Sequence, residues 1–110
     1  MTMKAACIQL TSGPDINANI EAVELLIREA QGQGAQLIVT PEVTDLICQE
    51  KKDRLERAYG QEDHPGITRF SELARELGVW LIAGSFLIKL NSEQLANRCF
   101  VFNPEGAIAA

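Results

Sequence analysis

Gln36-Leu37-Ile38-Val39-Thr40-Pro41 is a short apolar run closed by a proline. A run of this length, bounded by a breaker, reads as a buried strand. Pro41 has no backbone N–H and a fixed φ, so the ladder stops there. Upstream, Ile16, Ile20, Val23, Ile27 and Ala30 recur at helical spacing, and Leu26 widens the same face. Glu21, Glu24 and Arg28 fall elsewhere, so this is an amphipathic helix. Asp15 or Asn17 supplies its N-cap, and Gly32 and Gly34 end it. Before the helix, Ala5 to Leu10 forms another apolar run, closed by the turn residues Thr11-Ser12-Gly13-Pro14-Asp15. The three pieces make a strand–helix–strand unit. One helical crossover implies parallel strands with a right-handed connection.

The reading extends toward the C-terminus. Gln49 to Tyr59 is charge-rich and predicts a helix with Leu55 and either Ala58 or Tyr59 facing inward. Gln61 to Gly66 reads as a loop, and Ile67, Phe70, Leu73, Ala74 and Leu77 mark a second amphipathic helix capped by Gly78. Val79 to Ala83 is a third strand, interrupted at Gly84-Ser85 and continued by Phe86-Leu87-Ile88. Leu95 to Phe102 is a fourth, antiparallel to the third through a hairpin. Asn103-Pro104-Glu105-Gly106 is a β-turn, and Ala107 to Ala110 starts another strand. The order is βαβ, a variable insertion, then αββ, which is an α/β fold with helices packed on a sheet.

The chain has 110 residues with 46% hydrophobic and 23% charged, which fits a globular domain rather than a disordered one. Ten basic and fifteen acidic side chains give a net charge of −5, which argues against electrostatic capture of nucleic acid or an anionic membrane. Three scattered cysteines do not make a disulfide framework or a zinc site, and one histidine excludes a multi-histidine metal centre. Free thiols suggest a reducing compartment. No run predicts a signal peptide or membrane helix, so the expectation is a soluble, cytoplasmic protein.

Glu42 is the leading candidate for chemistry. It follows Pro41 at the carboxyl end of a parallel strand, where ligand sites of open α/β sheets gather. A carboxylate aimed by this rigid junction and drawn partly away from water suits a general base. The competing reading is an ordinary surface glutamate. Other candidates take structural readings. His64 is a solvated loop histidine, because no G-x-S-x-G turn accompanies it. Gly84 permits close backbone packing beside Ser85. Trp80 is core, Cys7 and Cys99 are small core residues, and Cys48 is exposed. Asn97 is a buried polar group bonded to a neighbouring loop. Gly32-Gln33-Gly34 ends a helix and is no phosphate loop. Lys51, Lys52, Arg54 and Arg57 alternate with acids on a solvated helix face.

The ordered set Ala6 to Leu10, Asp15 with Asn19, Arg28-Glu29-Ala30, Gly34 to Glu42, Leu73 to Ser85, Asn97-Arg98 and Asn103 to Gly106 resembles the N-terminal part of the nitrilase superfamily, the carbon–nitrogen hydrolases. The resemblance covers nearly the whole chain except a stretch around residues 46 to 63. It implies a partial α-β-β-α sandwich and hydrolysis of amides or nitriles, small-molecule substrates, by a Glu-Lys-Cys triad. In such a triad the glutamate is general base for the thiol and later for water, and the lysine stabilises the tetrahedral intermediate. Glu42 matches the glutamate position. Lys89 does not match the lysine, and Cys7, Cys48 and Cys99 do not match the nucleophile. The resemblance therefore implies a chain cut before its lysine and cysteine. It implies no metal or organic cofactor, and it implies a homo-oligomer. It is nearest to bacterial Nit-type amidases acting on ω-amidated or deaminated-glutathione-like acids, although Val43-Thr44 stands where that branch often has Asn-Phe.

A stand-alone α/β binding or regulatory domain is the alternative, and a non-catalytic relative that pairs with another subunit is a third reading. Receiver-like modules need an acidic pair after the first strand, which Leu10-Thr11-Ser12-Gly13 lacks. Strands apolar on both faces in a partial sandwich leave sheet surface uncovered. The expected outcome is association to a dimer or larger, or marginal stability. A monomer in sedimentation that unfolds cooperatively at high temperature would contradict it.

Overall fold

In the computed structural model, which describes residues 2–110, the strands β1 (Ala5–Cys7), β2 (Leu37–Thr40), β3 (Trp80–Lys89) and β4 (Leu95–Phe102) form one sheet in that order. β1, β2 and β3 are parallel, and β3 and β4 are antiparallel. Helix α1 (Ile16–Gly32) is the crossover between β1 and β2, as the periodicity predicts. Helix α2 (Lys51–Arg57), a 3-10 turn over Gln61–Asp63 and helix α3 (Pro65–Leu77) lie between β2 and β3.

The element boundaries have local causes. Asp15 stays extended, and its carboxylate accepts the Ala18 N–H at 3.1 Å, which makes it the N-cap of α1. Gly78 takes φ 65°, the left-handed C-cap that glycine reaches without a Cβ penalty. α3 begins two residues earlier than the apolar spacing suggests, because Pro65 occupies the first turn and His64 caps it. α2 is shorter than the predicted Gln49 to Tyr59. Ala58 is its inward residue, Leu55 is half-buried, and Tyr59 is exposed while its backbone pairs with β3. After the turn at Asn103 to Gly106, Ile108 bridges to Phe102 and Ala109 donates to the Val101 carbonyl.

The core lies between the sheet and the pair α1 and α3. Ile38, Leu81, Ala83, Phe100 and Phe102 meet Val23 and Ile27 of α1 and Phe70, Leu73 and Ala74 of α3. The opposite face is apolar and partly exposed over β1, β2 and the start of β3, while toward the end of β3 Leu87 is buried with Ile16, Leu46 and Ala58 in a second, smaller cluster. On the opposite face the register aligns Cys7, Val39, Ile82 and Val101 in one row, and Ala5, Leu37 and Trp80 in another.

Three expectations are corrected at this point. Trp80 is 41% exposed rather than core, and Cys7 and Cys99 are exposed rather than buried. The reason is the two-residue period of a strand: Trp80 and Ile82 face away from Leu81 and Ala83, and helices cover only one side. A uniformly apolar run does not say which side that is. The four strands belong to a single sheet with helices on one side, in keeping with the partial sandwich expected.

α1 and α3 are joined on their outer side by charges. Glu24 accepts from Arg69 through both carboxylate oxygens at 2.6 and 2.7 Å and from Arg28 at 2.9 Å. Arg28 continues to Glu76 and Arg69 to Glu72. The Arg69 fork, despite opposing desolvation, holds the Glu24 carboxyl down to about 2 from an ordinary 4.5. A carboxylate whose folded value is depressed stabilises the fold fully above its unfolded value and loses that contribution as pH falls. The stability difference between wild type and Glu24→Gln is therefore expected to be constant above about pH 5 and to shrink as pH falls from about 4.5 toward 2. Thermal melts of both proteins across that range check it, and a pH-independent difference would contradict it.

Candidate active site

Glu42 stands where the sequence places it, directly after Pro41 at the carboxyl end of β2. Its side chain is exposed, so the expected partial withdrawal from water is absent within these residues. The backbone that carries it, in contrast, is tightly held.

The hold begins at Gly84. A Cβ there would lie 2.5 Å from the Thr40 carbonyl oxygen and 2.7 Å from the Pro41 carbonyl group. Only glycine lets β3 pass this close to the end of β2, as the sequence reading anticipates. The pairing of β3 with β4 shifts register between Ala83 and Phe86, and this bulge turns Ser85 toward the loop after Glu42. The Val43 N–H donates to the Ser85 hydroxyl at 2.7 Å, and the Thr44 N–H donates to the Ser85 carbonyl at 3.0 Å. The Thr44 hydroxyl lies 2.5 Å from the Pro41 carbonyl and 2.9 Å from the Thr40 hydroxyl. The Ser12 hydroxyl donates to the Thr44 carbonyl at 2.8 Å.

Between Glu42 and Thr44, Val43 has φ 51°, the one non-glycine with positive φ among the described residues. A β-branched side chain in this region is a genuine outlier, costing about 1–3 kcal/mol, and it persists only where its surroundings over-determine it. The contacts just described do so.

Further along the loop lies a pair the sequence reading missed. His64 is not solvated: it is 0% exposed, and so is Asp45. His64 Nε2 and Asp45 Oδ2 are 2.7 Å apart, and Asp45 Oδ1 accepts the Leu87 N–H at 3.0 Å. The His64 ring stacks on Phe86 with centroids 4.8 Å apart. Its Nδ1 accepts the Gly66 N–H at 3.0 Å. Asn19, also buried, donates to the Asp45 carbonyl at 2.7 Å and exchanges two bonds with the Gly13 backbone at 2.8 and 3.0 Å. A usable signal was present at His64: a proline immediately after it, at the head of a helical pattern, marks it as an N-cap rather than a free loop residue. Asp45 carries no comparable local mark.

A groove of about 740 Å³ adjoins this loop, lined by Val43, Leu46, Cys48, Leu87, Leu95 and Asn97 among others. Asn97 is therefore an exposed groove residue, not a buried polar anchor. Cys48 is half-buried there, and Lys89 ends β3. No three His, Cys, Asp or Glu side chains converge as a metal site among the described residues. No helix among them is long and apolar enough to cross a membrane.

The family model for carbon–nitrogen hydrolase matches residues 4–110. The chain belongs to the carbon–nitrogen hydrolase family. An N-carbamoylputrescine amidase of Arabidopsis thaliana is 38% identical over 77% of this chain, and a human deaminated glutathione amidase is 32% identical over all of it. The match covers 29% and 34% of those two proteins, so this chain spans about a third of the length of such relatives. Among solved structures, an amidase from Nesterenkonia sp. superposes with TM-score 0.82 at 24% identity, covering 98% of this chain and 41% of that one. A carbon–nitrogen hydrolase from Helicobacter pylori gives 0.82 at 25% identity, covering 98% and 38%. The fold is thus that of nitrilase-superfamily amidases.

Within this hydrolase fold, Gly84→Ala is expected to destabilise by about 3 kcal/mol, because the new methyl meets backbone atoms that cannot step aside. Gly13→Ala, where a Cβ meets nothing within 4 Å, serves as control and is expected to change stability by about 0.5 kcal/mol or less. Urea midpoints of the two variants check the contrast, and equal midpoints would contradict it.

Proposed function

We propose that Glu42 is the general base of a thiol-dependent carbon–nitrogen hydrolase, and that residues 1–110 form the N-terminal portion of its catalytic domain. The observation that carries this reading is the locked junction at the end of β2. There a carboxylate follows Pro41 on a backbone held by Ser85 and Thr44, with a strained residue next to it. Rigid placement of an acid–base group is what general-base catalysis needs first.

The chemistry follows the triad that the family implies. Glu42 takes the proton of a cysteine thiol supplied from outside these residues, and the thiolate adds to the amide or nitrile carbon. For an amide, the amine departs with a proton and leaves a thioester. Glu42 then takes a proton from water, which adds to the thioester carbon and releases the acid and the thiol. A lysine, also from outside these residues, balances the charge on the tetrahedral intermediate.

The substrate class is a small amide or nitrile. The names of the amidase relatives, which refer to N-carbamoylputrescine and deaminated glutathione, support a small polar amide. Self-association is part of the proposal, supported by the uncovered apolar face around Trp80 and Ile82. Cytoplasmic residence is supported by three free cysteines.

Two assays test the reading. The 110-residue chain alone is expected to release no ammonia from a simple aliphatic amide, since losing members of a catalytic unit removes nearly all of the rate. Joined to the remainder of the Nesterenkonia amidase in place of that enzyme's matching segment, it is expected to support turnover. Glu42→Gln in that chimera should then lower kcat by about 10²- to 10⁴-fold. Full turnover by the Glu42→Gln chimera, or Glu42-dependent ammonia release by the short chain alone, would sink the proposal.

A further inference from the structure

We infer that the buried Asp45–His64 pair is a positioning device for Glu42: it fastens the loop that carries the carboxylate to β3 and to the head of α3. This deepens the reading of Glu42 as the base and rests on it. The catalytic chemistry itself makes no use of the pair.

Four observations support the assignment. Both side chains are fully buried, and every side-chain polar atom of the pair has a partner. Asp45 Oδ1 accepts from Leu87 on β3, and Asp45 Oδ2 accepts from His64 Nε2. His64 Nδ1 accepts from Gly66, so it bears no proton, and the ring hydrogen sits on Nε2 where Asp45 receives it. The Asp45 carbonyl accepts from Asn19, which ties the same residue to α1 as well.

Second, stability alone is a weak reason to bury such a pair. Desolvating a carboxylate and an imidazole offsets much of what their contact returns, and an apolar pair of similar volume is often no worse. Third, Asp45 lies three residues from Glu42, with strained Val43 between them. A loop of this length relaxes toward ordinary φ values unless both of its ends are fixed. Gly84 and Ser85 fix the near end, and Asp45 fixes the far one. Fourth, the ring stacks on Phe86 with centroids 4.8 Å apart, and it packs so near Gly66 that a Cβ there would lie 2.9 Å from it, so the imidazole is enclosed on both sides.

His64 also caps α3, so the test must separate cap from clamp. His64→Asn keeps a short acceptor near the Nδ1 position for the Gly66 N–H but cannot reach Asp45. His64→Gln sets an amide donor near the Nε2 position for Asp45 and gives up the cap. The probe is amide hydrogen exchange by NMR on the 110-residue chain, with the Glu42 side-chain carboxyl carbon followed alongside.

Under the clamp, His64→Asn speeds exchange at Val43 and Thr44 by about tenfold or more and moves the Glu42 carboxyl signal toward its random-coil position. The Thr68 amide, which bonds to the His64 carbonyl, keeps its protection. His64→Gln leaves Val43 and Thr44 near wild type, so the longer amide rescues what the shorter one loses. Wild-type exchange at Val43 and Thr44 in both variants, or a greater loss there with His64→Gln, overturns the inference. Should His64→Asn fail to fold, Asp45→Asn decides by the same amides. It keeps the shape and the Leu87 bond but sets an amide against His64. Faster exchange at Val43 supports the clamp, and an unchanged rate overturns it. These readouts follow loop geometry rather than turnover. Failure of the clamp therefore leaves the general-base reading standing, and failure of that reading in the chimera leaves the clamp measurable.

Discussion

The approach of β3 to the end of β2 is the constraint on which the site depends. With no side chain at residue 84, the Thr40 and Pro41 carbonyls lie closer to β3 than any Cβ would allow. That contact brings the bulged Ser85 within reach of the Val43 and Thr44 amides. Those bonds make the left-handed turn at Val43 tenable, and the turn sets the path by which Glu42 leaves the sheet. Each step is local hydrogen-bond chemistry, but all of them require the two parallel strands to be in this register, with Thr40 opposite Ala83.

The register in turn depends on one-sided packing. Ile38, Leu81 and Ala83 bury against α1 and α3, and a slip of one residue would put Val39, Ile82 and Gly84 there instead. Val39 and Ile82 are apolar too, so side-chain polarity discriminates little between the two registers. Discrimination comes from shape, since Gly84 has a required place against the end of β2. The charge network of Glu24, Arg28 and Arg69 on the outer side of the helices fixes the helix pair, not the sheet.

Much of this was legible in the sequence. Periodicity found α1 and α3, the proline at residue 41 ended β2, and the limits of β4 were read at Leu95 and Phe102. The position of Glu42 and the packing role of Gly84 were legible as well. The exposure of Trp80, Cys7 and Cys99 was not, because a strand that is apolar on both faces has the same sequence whichever face is covered. The Asp45–His64 pair was hidden for a different reason. Its members are 19 residues apart, and nothing in either neighbourhood encodes a contact of that range. Single polar residues in irregular segments default to solvent on composition alone, and burial at such positions is decided by tertiary partners.

A carboxylate that is to act as a base needs two things from its protein: a fixed direction and a medium less polar than water. In this chain they are separated. Pro41, Gly84, Ser85 and the bonds of the loop that follows fix the backbone at Glu42, and with it the direction in which the side chain leaves the chain. The medium is not supplied, since Glu42 and the apolar face beginning at Leu37 and Trp80 both lie open. Strain at Val43 is maintained without any help from that open side. The backbone path at Glu42 is therefore a property of this layer alone.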